Sequence, residues 1–222
     1  MQYSAFTIIA SLKEDIFGKI ELAEVEGGRK VIIRNWRCSK LFVRPIAYYL
    51  SLREKRILEI LDTFDAESIP HLIYFGKGLL VRSYIEGKSL KDAQIKDAEY
   101  YSKAKILLEK IHAVGVVHND LEKAENWLVT KDNSPAIVDY QIAFFFPKKG
   151  PVYTVAARED LRHLIKQKAA FCAKDLSLEE KNILRQKSIP ARVWDKTFKP
   201  AYNFVTRKIL RYSDRQNSKY SR

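Results

Sequence analysis

Residues 116–141, VVHNDLEKAENWLVTKDNSPAIVDYQ, set two aspartates, an asparagine, a histidine and a lysine between short apolar runs. "NWLV" and "AIVDY" have the length and composition of strands, and the polar "TKDNSP" between them is a turn, so the stretch predicts a hairpin. In an antiparallel pair the start of one strand lies beside the end of the other. Asn126, just before "WLV", and Asp139, closing "AIVD", are therefore expected on one edge, with Asp120 a short loop upstream.

Upstream, the first third of the chain reads as strands and turns. "FTIIASL" is apolar and β-prone, "KIELAEV" alternates in part, and "EGG" before "RKVIIRNW" is a hairpin turn, which together predict a small antiparallel sheet. In "RPIAYYLSLREKRILEIL", Ala47, Leu50, Glu54, Ile57, Leu58 and Leu61 fall at helical spacing behind Pro45. "LLVRSYIEGKSL" reads as a strand running into a linker that ends at Gly87, and a boundary between residues 1–86 and 87–212 is expected there. A helix over about 93–114 stops at Gly115. The segments "AREDLRHLIKQKAAF", "SLEEKNILRQ" and "WDKTFKPAYNFVTRKILRY" predict further helices, followed by a basic polar tail over 213–222 expected to be disordered.

The chain has 222 residues, 46% of them apolar, enough for a sizeable core. Forty Lys and Arg against twenty-seven Asp and Glu leave a net charge of +13. That excess favours anionic partners such as nucleotide, RNA or lipid headgroups without naming a reaction. Cys38 and Cys172 stand far apart and lack metal-ligand neighbours, which argues against a disulfide framework or zinc site. No basic leader or membrane-length apolar run is read, so a cytoplasmic location, with peripheral contact at an inner membrane as a variant, is expected. In "DKTFKPAYNFVTRKILRY", Phe198, Ala201, Tyr202, Val205 and Ile209 form an apolar stripe flanked by basic residues, readable as a closing helix or as a surface for an anionic bilayer.

The order of these features is a strand hairpin with a basic residue in "VIIR", a helix bearing a lone Glu, a linker, a long helix, then His-x-Asp-Leu, an Asn, and an Asp after a short strand. That series resembles the protein-kinase-like superfamily over roughly residues 13–165, and within it the small atypical bacterial kinases akin to RIO kinases and lipopolysaccharide core kinases. The resemblance implies an α+β, bilobal fold with a small antiparallel β N-lobe, a mainly helical C-lobe and a minimal activation segment. It implies an ATP- and Mg2+-dependent phosphotransferase acting on a hydroxyl, with Asp120 as proton acceptor and Asn126 and Asp139 as magnesium ligands. Lys123 would touch the transferred phosphate, Arg34 and Glu54 would take the places of the family's lysine and helix glutamate, and Gly18 would lie in the turn over the phosphates. Ser83, Tyr84 and Ile85 would line the adenine hinge, His118 would brace the loop, and Asp160 would support it from below, unless it is a helix N-terminal charge.

The chain departs from the family pattern at several positions. Asp120 and Asn126 are one residue further apart than usual, so the loop must bulge, and "YQ" replaces Phe-Gly after Asp139. Arg34 stands for lysine, and its planar guanidinium is no neutral replacement. The acceptor is a protein Ser/Thr or a sugar of a lipopolysaccharide core, the first being preferred. A nucleotide-binding pseudokinase and an anionic-surface binding protein are the alternatives. Trp36, Trp127 and Trp194 lie in separate segments and read as core rather than stacking platforms.

Overall fold

The computed structural model describes residues 6–186, and the chain divides into two compact units, Met1–Ser177 and Leu178–Arg222. The first unit opens with β1 (Thr7–Asp15), β2 (Gly18–Val25) and β3 (Arg29–Asn35), followed by helix α1 (Arg44–Ile60), β4 (Leu72–Gly76) and β5 (Leu79–Ser83). These strands form one antiparallel sheet in the order β1-β2-β3-β5-β4. The protein is thus α+β, with an antiparallel five-stranded sheet and several helices, as the sequence predicts.

Alternation along β3 and β5 gives the sheet two different faces. Val31, Ile33 and Val81 pack with Ala23 and Leu79 on one side. Leu80 packs with Trp36 and with Ala47 of α1 on the other. The cross-strand pairs Ile32↔Arg82 and Arg34↔Leu80 place both arginines on the α1 side. α1 begins with Pro45 in its first turn and turns Ala47, Ser51, Glu54, Ile57 and Leu58 inward. A three- and four-residue spacing of mainly small and apolar groups explains that choice of face.

The chain then passes through β6 (Lys88–Ser89), α2 (Leu90–Ala93), α3 (Ala98–Ala113), β7 (Val116–Val117), β8 (Trp127–Val129), β9 (Pro135–Ile137), β10 (Phe144–Phe145) and α4 (Pro151–Phe171). The expected helix over 93–114 is therefore shorter, because Asp97 caps α3 by accepting a hydrogen bond from the Glu99 amide at 2.9 Å. α3 ends before Gly115, where φ is +85° and a Cβ would lie 2.6 Å from the Phe146 carbonyl oxygen. α4 starts earlier than "AREDL" suggests, since Pro151 suits a first helical turn.

Tyr100, Leu108, Ile111, Leu121, Trp127, Ile137 and Tyr140 are fully or almost fully buried in the main core, which also receives Ile57, Leu58 and Leu61 from α1. α1 therefore joins the sheet to the helical layer. Helix α5 (Leu178–Arg185) belongs to the second unit, and the apolar stripe over 198–209, Trp194 and the tail over 213–222 lie outside the described residues.

Candidate functional site

The hairpin forms as the sequence predicts, with Trp127↔Ile137, Leu128↔Ala136 and Val129↔Pro135 in antiparallel register. Its open end is tied by the Val138 amide donating to the Asn126 carbonyl oxygen at 3.0 Å, which brings the backbones leading to Asn126 and Asp139 side by side. Asp139 itself adopts φ +67° and Asn119 φ +63°, left-handed conformations that Asp and Asn tolerate better than most residues. Two such residues beside one loop mark a place where the surrounding structure overrides local preference. The glycine freedom missing from "DYQ" is thus not needed at Gln141, because the left-handed residue is Asp139.

The loop is held from two sides. Asp160 is 1% exposed and accepts the His118 amide at 2.7 Å and the Asn119 amide at 2.9 Å, while His112 Nε2 lies 3.3 Å from it. It sits midway along α4, so the helix N-terminal account of this residue does not apply. The fully buried His118 ring lies 3.1 Å from the Val138 carbonyl oxygen through Nε2 and 3.3 Å from the Asp120 amide through Nδ1. This pattern has Nε2 donating to the Val138 carbonyl and Nδ1 accepting from the Asp120 amide. His118 is therefore a brace between the loop and the strand leading to Asp139.

Between Asp120 and Asn126 the chain closes with a tight 3-10 turn at Ala124–Asn126. Buried Asn126 donates from Nδ2 to the Asp120 carbonyl oxygen at 2.9 Å and to Asp120 Oδ2 at 3.1 Å. Lys123 Nζ donates to the same Oδ2 at 2.7 Å. The second Asp120 oxygen, Oδ1, takes no hydrogen bond among the described residues. Its nitrogen is thus committed to Asp120, while the Asn126 amide oxygen accepts no hydrogen bond among the described residues.

On the sheet side, Arg34 Nε lies 3.0 Å from Glu54 Oε2 and Arg34 Nη2 lies 3.3 Å from Asp139 Oδ1. Glu54 is 0% exposed, so it is no surface charge; Arg82 Nε lies 3.4 Å from its other oxygen, Oε1. Neither Nε–H aligns for a hydrogen bond with Glu54, which makes these close charge pairs rather than directed bonds. Burial alone would raise the Asp139 pKa, but the Arg34 and Arg82 guanidiniums outweigh it and hold the carboxyl below its ordinary range. Burial likewise would lower the Arg34 pKa, and Glu54 and Asp139 reverse the sign.

Arg82 is the site residue that the sequence reading missed. Its signal was available: "LLVRS" puts a charge into a strand otherwise fit for the interior, and a buried charge needs a partner. Gly18, at φ +129°, is pressed against the end of β3, where a Cβ would meet the Asn35 carbonyl oxygen at 2.3 Å. The Ser83 amide donates to the His71 carbonyl oxygen at 2.9 Å and the Tyr84 amide to that of Lys30 at 3.4 Å. Ile85 is buried, and its backbone groups take no partner among the described residues.

Beyond Asp139 the connection to α4 is short and pinned. Phe144 and Phe145 pair with Val117 and Val116, and Arg53 of α1 donates to the Ile142 and Ala143 carbonyl oxygens at 3.0 and 2.9 Å. Its guanidinium also covers the Phe144 ring at 4.1 Å. Among the described residues no group of three or more His, Cys, Asp or Glu side chains gathers for a metal. The donor set offered is one carboxylate and one amide, which fits magnesium completed by phosphate oxygens and water rather than a metal caged by protein alone. No protein-family model matches the chain, and no curated protein matches it.

Proposed function

We propose that this protein is an ATP- and magnesium-dependent phosphotransferase with a bilobal, protein-kinase-like architecture, an atypical RIO-like serine/threonine kinase that phosphorylates a hydroxyl. The observation that carries the reading is the asymmetric Asp120 carboxylate. One oxygen is anchored by Asn126 and Lys123, and the other takes no hydrogen bond among the described residues. A carboxylate so held is oriented to accept a proton from an incoming hydroxyl at Oδ1.

Asp139 and the Asn126 amide oxygen would hold magnesium, and Arg34, steadied by Glu54, would direct its guanidinium to the phosphates. Magnesium, when bound, offsets the negative charge that develops on the phosphoryl oxygens. Lys123, 62% exposed and next to Asp120, can turn from that carboxylate to the transferred group. Ile85 retains backbone groups for the base, whereas the Ser83 and Tyr84 amides are used within the sheet. His118 and Asp160 touch no reactant and act by fixing the loop.

A sugar hydroxyl of a lipopolysaccharide core is the alternative acceptor. The pairing of Arg34 with Asp139 favours a second reading, a pseudokinase that binds nucleotide without turnover, because the metal carboxylate already faces a cation. Among the described residues no helix is long and apolar enough to cross a membrane. Cytoplasmic action, alone or beside an anionic surface of RNA or lipid, belongs to the same proposal, and the +13 charge supports the anionic surface.

The test is transfer of labelled phosphate from ATP to a cell lysate separated into protein and lipopolysaccharide fractions, with Asp120→Asn beside the wild type. Label in protein that Asp120→Asn abolishes supports the kinase reading. Label in the saccharide fraction moves the acceptor, and equal labelling by both proteins ends the role of Asp120.

A further inference from the structure

We propose that Arg82 forms, with Arg34, a two-guanidinium clamp for the di- or triphosphate group of the ligand, carried on Glu54. This inference rests on the nucleotide reading above and adds a phosphate-binding residue that the resemblance does not supply.

Three observations point to the clamp. The ladder pairs Ile32↔Arg82 and Arg34↔Leu80 put both arginine stems on one face of the sheet. Their Nε atoms then converge on the two oxygens of one fully buried carboxylate, Arg34 on Oε2 at 3.0 Å and Arg82 on Oε1 at 3.4 Å. Two permanent cations against one fully buried carboxylate call for a second negative charge. Asp139 meets part of that need through Arg34 Nη2 at 3.3 Å.

Arg82 is only 7% exposed, yet its terminal nitrogens have no hydrogen-bond partner among the described residues. A buried guanidinium whose Nε lies against Glu54 and whose Nη atoms are open can receive an anion with two oxygens. Polyphosphate is the anion of matching charge: once Asp139 serves a cation, Arg34 loses its second partner and both guanidiniums are left with Glu54 alone. The glycine of the β1–β2 turn does not take over this work, because Gly18 is closed against Asn35 and Trp36. Side-chain cations replace the backbone amides.

The experiment uses the full chain with magnesium and titrates ATP and, separately, inorganic tripolyphosphate into wild type, Arg82→Met and Arg82→Lys, with thermal unfolding of each protein alone. Arg82→Met is expected to weaken both ligands at least tenfold. Arg82→Lys keeps the charge but loses the fork, and should weaken them severalfold. Unchanged affinities in a variant that merely melts earlier would overturn the clamp and leave the nucleotide reading standing. Should Arg82→Met fail to fold, the comparison of wild type with Arg82→Lys decides, and equal affinity there overturns the clamp. Wild type that binds tripolyphosphate but not ATP, with the loss in Arg82→Lys, supports the clamp and removes the nucleotide. No binding of either by wild type removes both.

Discussion

Arg34 Nη2 lies 3.3 Å from Asp139 Oδ1, so a permanent cation of β3 faces the carboxylate proposed above as a magnesium ligand. The pair crosses from the sheet to the end of the hairpin and joins two elements far apart in sequence. Metal and guanidinium then compete for one carboxylate.

Arg34→Met should therefore tighten magnesium binding in the absence of nucleotide while lowering phosphate transfer roughly a hundredfold, the usual effect of removing one charge-stabilising group from a reaction centre. Calorimetric titration of magnesium and a labelled-ATP rate measure the two effects. Equal magnesium affinity in both proteins would show that the pair does not compete with metal.

Removing Glu54 leaves two buried guanidiniums without their shared carboxylate. Glu54→Ala should cost about 3–5 kcal/mol of stability, the range for breaking a buried charge pair from one side. Glu59→Ala, which deletes the surface partner of Lys55, should cost under about 0.5 kcal/mol. Urea unfolding of the two variants makes the comparison, and similar losses would contradict the buried network.

Asp160→Asn replaces a carboxylate that accepts two backbone amides with a group that presents a donor to one of them. A loss of roughly 3 kcal/mol is expected from weakened charge-assisted bonds. Hydrogen exchange should accelerate at His118 and Asn119 before it does in α3. Unaltered protection of those two amides would remove Asp160 as the brace.

Acid should weaken the fold in two stages. Burial pushes the His163 pKa down, and its Nδ1 is buried without a partner, so the neutral ring contributes stability above about pH 6.5 that is lost as pH falls toward the folded value. The depressed Asp139 carboxyl contributes stability present above about pH 4, lost as pH falls through its own folded value. Urea midpoints measured between pH 8 and pH 3 should show both steps, and His163→Gln should erase the first alone. A midpoint flat down to pH 4 in the wild type would exclude the first.

The sequence by itself determined the elements and the chemistry-bearing loop. Period-two runs made the strands, the three- and four-residue spacing from Ala47 to Leu58 made the inward face of α1, and the Asn126–Asp139 hairpin followed from two short strands around a polar turn. Such signals are local, because backbone geometry repeats every two or 3.6 residues. Where the charges meet was decided by tertiary structure. Glu54 reads as a surface or an interior charge until α1 is laid on the sheet, and Arg82, legible as a charge in an apolar strand, finds its partner only when β5 is registered against β3. Asp160 likewise becomes a brace only once α4 passes beneath the loop. Coulombic pairing depends on distance in space, and the periodicity of a chain carries no record of that distance.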